Sequence, residues 1–239
     1  MRIDAHELQK RYHGEPVLDL PQLAIPAGDA FGLVGNNGAG KTTFLRLALD
    51  LLKPSQGHVE IDGARVATTT AWKARTGAYL DPSFLIDYLT PEEFFDFTGQ
   101  VYGLAHAEVT VALERFAPFF NGEVLGQKRY LRDLSMGNRK KVGIVAALLH
   151  DPDLVILDEP FANLDPSTQI RLKSLLRQLN ERRGTTLIVS SHDLNHVTEV
   201  CGRIAVLERG RIVQDLATSE ATLTDLERYF TVEDAADLP

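Results

Sequence analysis

The sequence predicts an α/β fold: a mostly parallel sheet interleaved with helices and organised around one glycine-rich loop. Three observations predict it. Ala30–Val34 is apolar on both faces and runs directly into VGNNGAGKTTF, residues 34–44. Residues 154–157 are again apolar throughout and end on two carboxylates, Asp158 and Glu159. Strand-like and helical runs alternate on either side of a helical middle, the pattern of parallel strands joined by crossover helices.

Each element has its own signal. Residues 3–8, 17–20 and 58–61 read as short strands, with turn signals at Pro26-Ala27-Gly28 and Asp62-Gly63. After the strand at 30–34, a helical pattern runs to about residue 52, where Pro54 stops it. Residues 84–148 read as helical. Thr90-Pro91-Glu92-Glu93 is a capping box with proline at the first helical position. This stretch is rich in aromatic residues, Phe84, Tyr88, Phe94, Phe95, Phe97 and Tyr130 among them. Most are expected in the core of a small lobe, with a few left outside as a patch for a partner. A strand at 154–157, a helix at 166–183, a strand at 185–190 and a helix at 194–200 follow. Residues 204–207 and 212–213 close the series as a hairpin around Arg209-Gly210. The acidic end, 232–239, is expected to fray. The chain reads as a single domain, with a core of 1–83 and 149–217, an inserted helical subdomain of 84–148, and a C-terminal helix and tail of 218–239.

Composition excludes several classes. The net charge of −8 argues against a nucleic-acid partner, and none is expected. A single cysteine, Cys201, permits no disulfide framework within the chain, points to a reducing compartment, and is expected in the core. The N-terminus carries no secretory apolar stretch. The longest apolar run, within 142–149, falls far short of the ~20 residues that span a bilayer. The expected location is therefore cytoplasmic, with any membrane contact made through a partner.

The glycine-rich run matches G-x-x-x-x-G-K-[ST] through Gly35, Gly40, Lys41 and Thr42. Glycines let successive N–H groups turn inward around an anion, and the helix that starts there points its positive end at the phosphates. Gly35, Asn36, Asn37, Gly38, Ala39, Gly40, Lys41, Thr42 and Thr43 are the expected cradle. Lys41 would reach the β- and γ-phosphates, and Thr42 would bind Mg²⁺. Residues 154–160, LVILDEP, deliver Asp158 and Glu159 at the C-terminal edge of a buried strand, where ligands of open α/β sheets bind. Asp158 would hold the Mg²⁺ shell, and Glu159 would take a proton from the attacking water. Together the two motifs specify a nucleotide-hydrolysing fold.

Further motifs narrow it. Residues 134–138, LSMGN, resemble the LSGGQ signature of ATP-binding-cassette (ABC) ATPases, at that family's spacing before LVILDEP. Asn163-Leu164-Asp165 resembles the family's D-loop, and SSHD at 190–193 resembles its switch-histidine stretch. Tyr12 stands where the family keeps an aromatic residue that stacks on adenine. The resemblance covers essentially the whole chain, in the family's motif order. It implies a P-loop core with an N-terminal antiparallel β part and an inserted helical subdomain. It implies Lys41, Glu159 and His192 as the catalytic set, with ATP contacts from Tyr12, the phosphate loop, Ser135, Gly137 and Asp165. ATP would lie between two such domains packed head to tail, most simply a homodimer, docked on separate integral membrane permease subunits. The chain would then sit on the cytoplasmic face of the membrane.

Three departures stand out. Where the family keeps a glutamine after the strand ending near residue 80, this chain has Asp81, a carboxylate that could hold a metal-bound water. Met136 and Asn138 replace a signature glycine and glutamine, and FANLD replaces a commoner small-residue form. None removes Lys41, Asp158, Glu159 or His192. His192 and His196 are four apart, but no third ligand accompanies them as a metal site. Residues 134–166 look most like the ATPase subunits of ABC-2-type exporters. An importer subunit is the nearest alternative, and a soluble non-transport ABC ATPase is the next.

Overall fold

Strands that are apolar on both faces must be covered on both faces, and that requirement sets the architecture. The computed structural model describes residues 1–219, 222 and 226. In chain order the elements are β1 (Ile3–Tyr12), β2 (Glu15–Ile25), β3 (Ala30–Val34), α1 (Lys41–Ala48), β4 (Gln56–Ile61), β5 (Ala64–Arg65), β6 (Thr76–Tyr79), α2 (Pro91–Val101), α3 (His106–Glu114), α4 (Ala117–Phe120), α5 (Met136–Leu148), β7 (Leu154–Asp158), α6 (Pro166–Arg183), β8 (Thr186–Ser191), α7 (Leu194–Val200), β9 (Arg203–Glu208) and β10 (Arg211–Ala217).

Six strands form one sheet in the order β10-β9-β3-β8-β7-β6. All its pairings are parallel except the closing β9–β10 hairpin. A second, antiparallel sheet has the order β2-β1-β4-β5. Successive residues of a strand point to opposite faces, and β7 shows the result. Val155 and Leu157 enter one apolar core with the helices of the middle segment. Leu154 and Ile156 enter another with α1 and the antiparallel sheet. The parallel sheet is thus the partition between two cores, and its C-terminal edge lies open where they meet.

The α/β class, the largely parallel sheet and the antiparallel N-terminal part are as the sequence predicts. The boundaries differ in places. Helix α1 ends at Ala48, short of residue 52. Asp50 takes φ +54, and the N–H groups of Leu51 and Asp50 donate back to the carbonyls of Arg46 and Leu47. This closed cap ends the helix before proline is reached. The middle segment is not helical throughout. Residues 121–135 form a loop with one 3₁₀ turn at Leu131–Asp133, and Asn121 and Lys128 sit at positive φ. The capping box at Thr90 is formed, with Thr90 and Glu93 bonding each other's backbone N–H.

The aromatic residues of the middle divide. Phe94, Phe95, Phe116, Phe119 and Phe120 are buried, whereas Phe84, Tyr88, Phe97 and Tyr130 are exposed. Cys201 is buried, and burial raises its thiol pKa. No helix among the described residues is long and apolar enough to cross a membrane. The expected C-terminal helix and tail, from residue 220 onward, lie outside the described residues apart from Thr222 and Leu226.

Candidate functional site

The site is built where β3, β7 and β8 end side by side. β3 delivers the chain to Gly35, which lies so close to β9 that an added Cβ would sit 2.2 Å from the Leu207 carbonyl oxygen. Gly40 closes the loop at φ +110, and a Cβ there would approach the Val17 carbonyl oxygen to 2.9 Å. A left-handed backbone in so tight a space admits only glycine. Gly40 is also the N-cap of α1 and supplies no side-chain cap. The first-turn N–H groups of α1 are therefore available to an anion. A cavity of about 220 Å³ lies against them, lined by residues 36–43, Val17, Asp158 and Glu159. It adjoins a wider opening of about 820 Å³, flanked by Pro16, Arg209 and Arg211.

The carboxylates are held by the strand register. Asp158 pairs with Ser190 across the parallel β7–β8 ladder. The Ser190 hydroxyl, fully buried, donates to Asp158 Oδ1 and accepts from the Glu159 N–H at 3.0 Å. Thr42 Oγ1 donates to Asp158 Oδ2 at 2.5 Å. A hydroxyl and a carboxylate at this separation are hard oxygen donors of the kind Mg²⁺ prefers. Glu159 sits at φ +47, outside the usual region for a non-glycine residue. Its side chain is held from two sides. Oε2 meets His192 Nδ1 at 2.9 Å, and Oε1 lies 3.4 Å from the Lys41 ammonium with no hydrogen-bond partner.

Lys41 itself is buried and donates to the carbonyls of Gly35 at 2.5 Å and Asn36 at 3.4 Å. Those carbonyls and Glu159 occupy a cation that an entering phosphate can claim. Behind the site, the Lys140 ammonium donates to the carbonyls of Glu159 and Ala162, each at 2.7 Å. Burial pulls its pKa down to about 8, against the pull of Glu159 and Asp158.

The structure therefore gathers Lys41, Thr42, Asp158, Glu159 and His192 around one cavity. Other expected residues stand apart from it. Ser135 caps α5 by accepting from the Asn138 N–H, and a Cβ on Gly137 would stand 3.0 Å from the Asn163 carbonyl oxygen. Asp165 caps α6, and its bonds to Thr168 and Ser167 lower its pKa. These three form a neighbouring surface. Tyr12 ends β1, half-exposed, with the Lys10 ammonium 5.0 Å from its ring centre. Asp81 accepts from the Ser83 N–H at 2.7 Å and lies 3.8 Å from Arg46. No hydrogen bond or ion pair joins it to Thr42 or Asp158. His196 faces Asp193 and Phe161. Sequence reasoning missed Ser190, Lys140 and Val17 as site residues. Ser190 carried a weak signal as the first residue of SSHD, whereas nothing local marks Lys140 or Val17.

Comparison with known proteins identifies the arrangement. Residues 18–162 match the family described as ABC transporter. The bacitracin transport ATP-binding protein BcrA of Enterococcus faecalis is 31% identical over 98% of this chain and 75% of its own. The methionine import ATP-binding protein MetN of Caulobacter vibrioides is 33% identical over 94% of this chain and 70% of its own. Against relatives from Synechocystis and Nostoc the chain spans 54% and 57% of their length. Among solved structures, a dimeric ATP-binding cassette in a post-hydrolysis state, bound to ADP and Pi, superposes with a TM-score of 0.80. It is 25% identical and covers 91% of this chain and 99% of its own.

Proposed function

The chain belongs to the ABC transporter family, and from that premise we propose that it is an ATP-hydrolysing subunit that drives export through separate membrane subunits. The observation that carries the hydrolytic reading is the convergence on Glu159. Its carboxylate is held between His192 and Lys41, beside a Thr42–Asp158 pair, at the edge of the phosphate cavity.

In this reading the residues divide the work. The loop 35–40 and the first turn of α1 bind the phosphates of ATP. Lys41 leaves the Gly35 carbonyl for the β- and γ-phosphate oxygens. Thr42 and Asp158 would hold Mg²⁺, and the ion would supply positive charge at the phosphate oxygens. Glu159 takes a proton from the attacking water, and His192 orients its carboxylate and senses the γ-phosphate. Ser135, Gly137 and Asp165 lie outside this cavity because they serve the nucleotide of a second cassette. The capped N-terminus of α5 and the 163–165 turn lie together, as one contact surface requires. Tyr12 is assigned to stack on the adenine, by the resemblance of its position to the family's aromatic residue.

The membrane partner is proposed to seat on the helical side. A cavity of about 320 Å³ there is lined by Leu49, Leu51, Trp72, Leu80, Phe84 and Tyr102, among others. Phe84, in this lining, is itself exposed, as is Tyr88, nearby in sequence. Export rests on the resemblance of residues 134–166 to ABC-2-type subunits. The likeness to MetN, a methionine import protein, supports import as the second reading.

Glu159→Gln tests the mechanism. Loss of a general base predicts a fall in phosphate release of about 10²–10⁴-fold. Light scattering should show the variant held as a dimer in ATP but not in ADP. An unchanged hydrolysis rate would remove Glu159 from this role. Affinity capture from native membranes tests the partner. Recovery of a multi-span protein supports transport, and recovery of ribosomal proteins alone would overturn it.

A further inference from the structure

A second constellation lies on the antiparallel sheet, outside the phosphate-loop, signature and carboxylate motifs. His6 on β1 is registered directly opposite His58 on β4. Side chains opposite each other in an antiparallel pair lie on one face with their Cβ atoms ~5 Å apart. The two imidazoles accordingly stack, with ring centres 5.1 Å apart and planes inclined by 27°. Glu60 is two residues beyond His58 on the same strand, and so on the same face. Its carboxylate spans both rings: Oε1 lies 3.0 Å from His58 Nε2, and Oε2 lies 3.9 Å from His6 Nε2. One donor atom from each of the three residues falls within 4.8 Å of the others. All three side chains are partly buried, beside a cavity of about 570 Å³ that also touches Glu7, Gln22 and Arg65.

We propose that His6, His58 and Glu60 form a binding site for a first-row divalent transition metal, of which Zn²⁺ is the probe. Two neutral imidazoles and one carboxylate make up a donor set suited to Zn²⁺, Ni²⁺ or Cu²⁺ and not to the oxygen-seeking Mg²⁺ of the nucleotide site. The rigidity comes from the ladder. His6 pairs with Gln22 on one side and His58 on the other, and Glu60 pairs with both Asp4 and Arg65. The β1–β4 register shifts just beyond His6, where Glu7 takes φ +45. Bulges of this kind re-aim the neighbouring side chains of a strand. Nearby charge is largely spoken for, because Arg2 is held by both oxygens of Asp4. Among the described residues Arg65 has no such partner and is the one Lys or Arg on the cavity rim. Three protein donors leave a coordination position open to water or to a fourth group. A metal here clamps β1 to β4 at a distance from the phosphate cavity.

The test is calorimetric titration of the chelator-treated, nucleotide-free full chain with Zn²⁺, followed by Co²⁺ substitution read by visible absorption. One saturable site with a low-coordinate cobalt spectrum is expected. His58→Ala and His6→Asn should each weaken binding by about 10–100-fold or more, since losing even an outer partner of a ligand costs that much. His106→Ala, at an exposed histidine elsewhere, should leave binding unchanged. Circular dichroism identifies a variant that fails to fold, in which case the other histidine variant decides. Absence of a saturable site in the parent chain overturns the proposal. So does binding that persists unchanged in folded His58→Ala or His6→Asn, which would place the metal on other groups.

Discussion

Ser190→Ala is the most informative single change in the catalytic region. The hydroxyl is fully buried and makes two bonds, one to the Asp158 carboxylate and one from the Glu159 N–H. Alanine removes both without adding bulk. The first is charge-assisted and contributes about 1.5–3 kcal/mol, and a buried N–H left without an acceptor costs about 1–3 kcal/mol. The two effects share one atom and do not add fully, so a loss of about 2–4 kcal/mol is expected. Urea unfolding at neutral pH measures it. The same change frees Asp158 to rotate on Thr42 and removes the backbone bond that helps hold Glu159 at φ +47. A misplacement of ~1 Å at a reacting group costs about 10²-fold in rate. Phosphate-release assays should therefore show kcat down by about that factor and a higher Mg²⁺ requirement. Ser190→Thr, which keeps the hydroxyl, should recover most of the rate. If Ser190→Ala is within about 0.5 kcal/mol of the parent, the range of an uninvolved surface change, and its Mg²⁺ requirement is unmoved, the bridging role is refuted.

Other outcomes are expected. Burial lowers the His150 pKa from 6.5 to about 4, with its ring stacked on Tyr102 at 3.4 Å. A depressed value means that the unfolded chain binds the extra proton, so this stabilisation is present above pH 6.5 and lost as pH falls towards 4. Between pH 7.5 and 5 the integrated difference is about 2 kcal/mol, or about 1 kcal/mol after solvent screening. His150→Phe keeps a ring against Tyr102 and should flatten the pH dependence of unfolding by that amount; an identical slope would dismiss the effect. Lys140→Met leaves the Glu159 and Ala162 carbonyls without their donor. It should cost about 1–3 kcal/mol in a thermal or urea melt and lower kcat more than it raises KM. Asp81→Ala should change the ATPase rate of the isolated chain by less than about twofold, because its bonds go to Ser83 and Arg46. A shifted Mg²⁺ requirement in that variant would place Asp81 in the metal shell instead.

Legibility in the sequence followed the range of the interactions. β3 and β7 are visible because both faces are apolar, and α6 because Asp165, Pro166 and Gly184 mark its ends. β2 extends well beyond 17–20, to Glu15–Ile25, because exposed Pro21 and Gln22 interrupt its apolar alternation before buried Leu23 and Ile25, and pairing with β1 carries the strand through. β6 has a glycine inside it, which argues against a strand locally. Gly77 is there because the Ala147 carbonyl of α5 would lie 1.8 Å from any Cβ. The same holds at the site. Gly40, Lys41, Asp158 and Glu159 stand in short motifs whose chemistry is local. Ser190 matters only through its register with Asp158, and Lys140 only because α5 crosses behind the 159–162 turn. His6 and His58 stand far apart in the sequence, and only the β1–β4 pairing makes them neighbours.

One ammonium also joins the signature helix to the turn that carries the reactive carboxylate. Helix α5 is capped by Ser135, on the side proposed to meet another cassette, and its residues from Lys140 to Leu148 are all buried. It is a stiff shaft. From the second turn of that shaft, Lys140 grips the backbone of Glu159. In a head-to-tail pair, a push on the exposed tip of α5 would pull on the carbonyl beside the neighbouring reactive carboxylate. Each half would feel whether the other is loaded, and the message would travel as mechanical strain along a rod and a tether, without a second messenger or a moving domain.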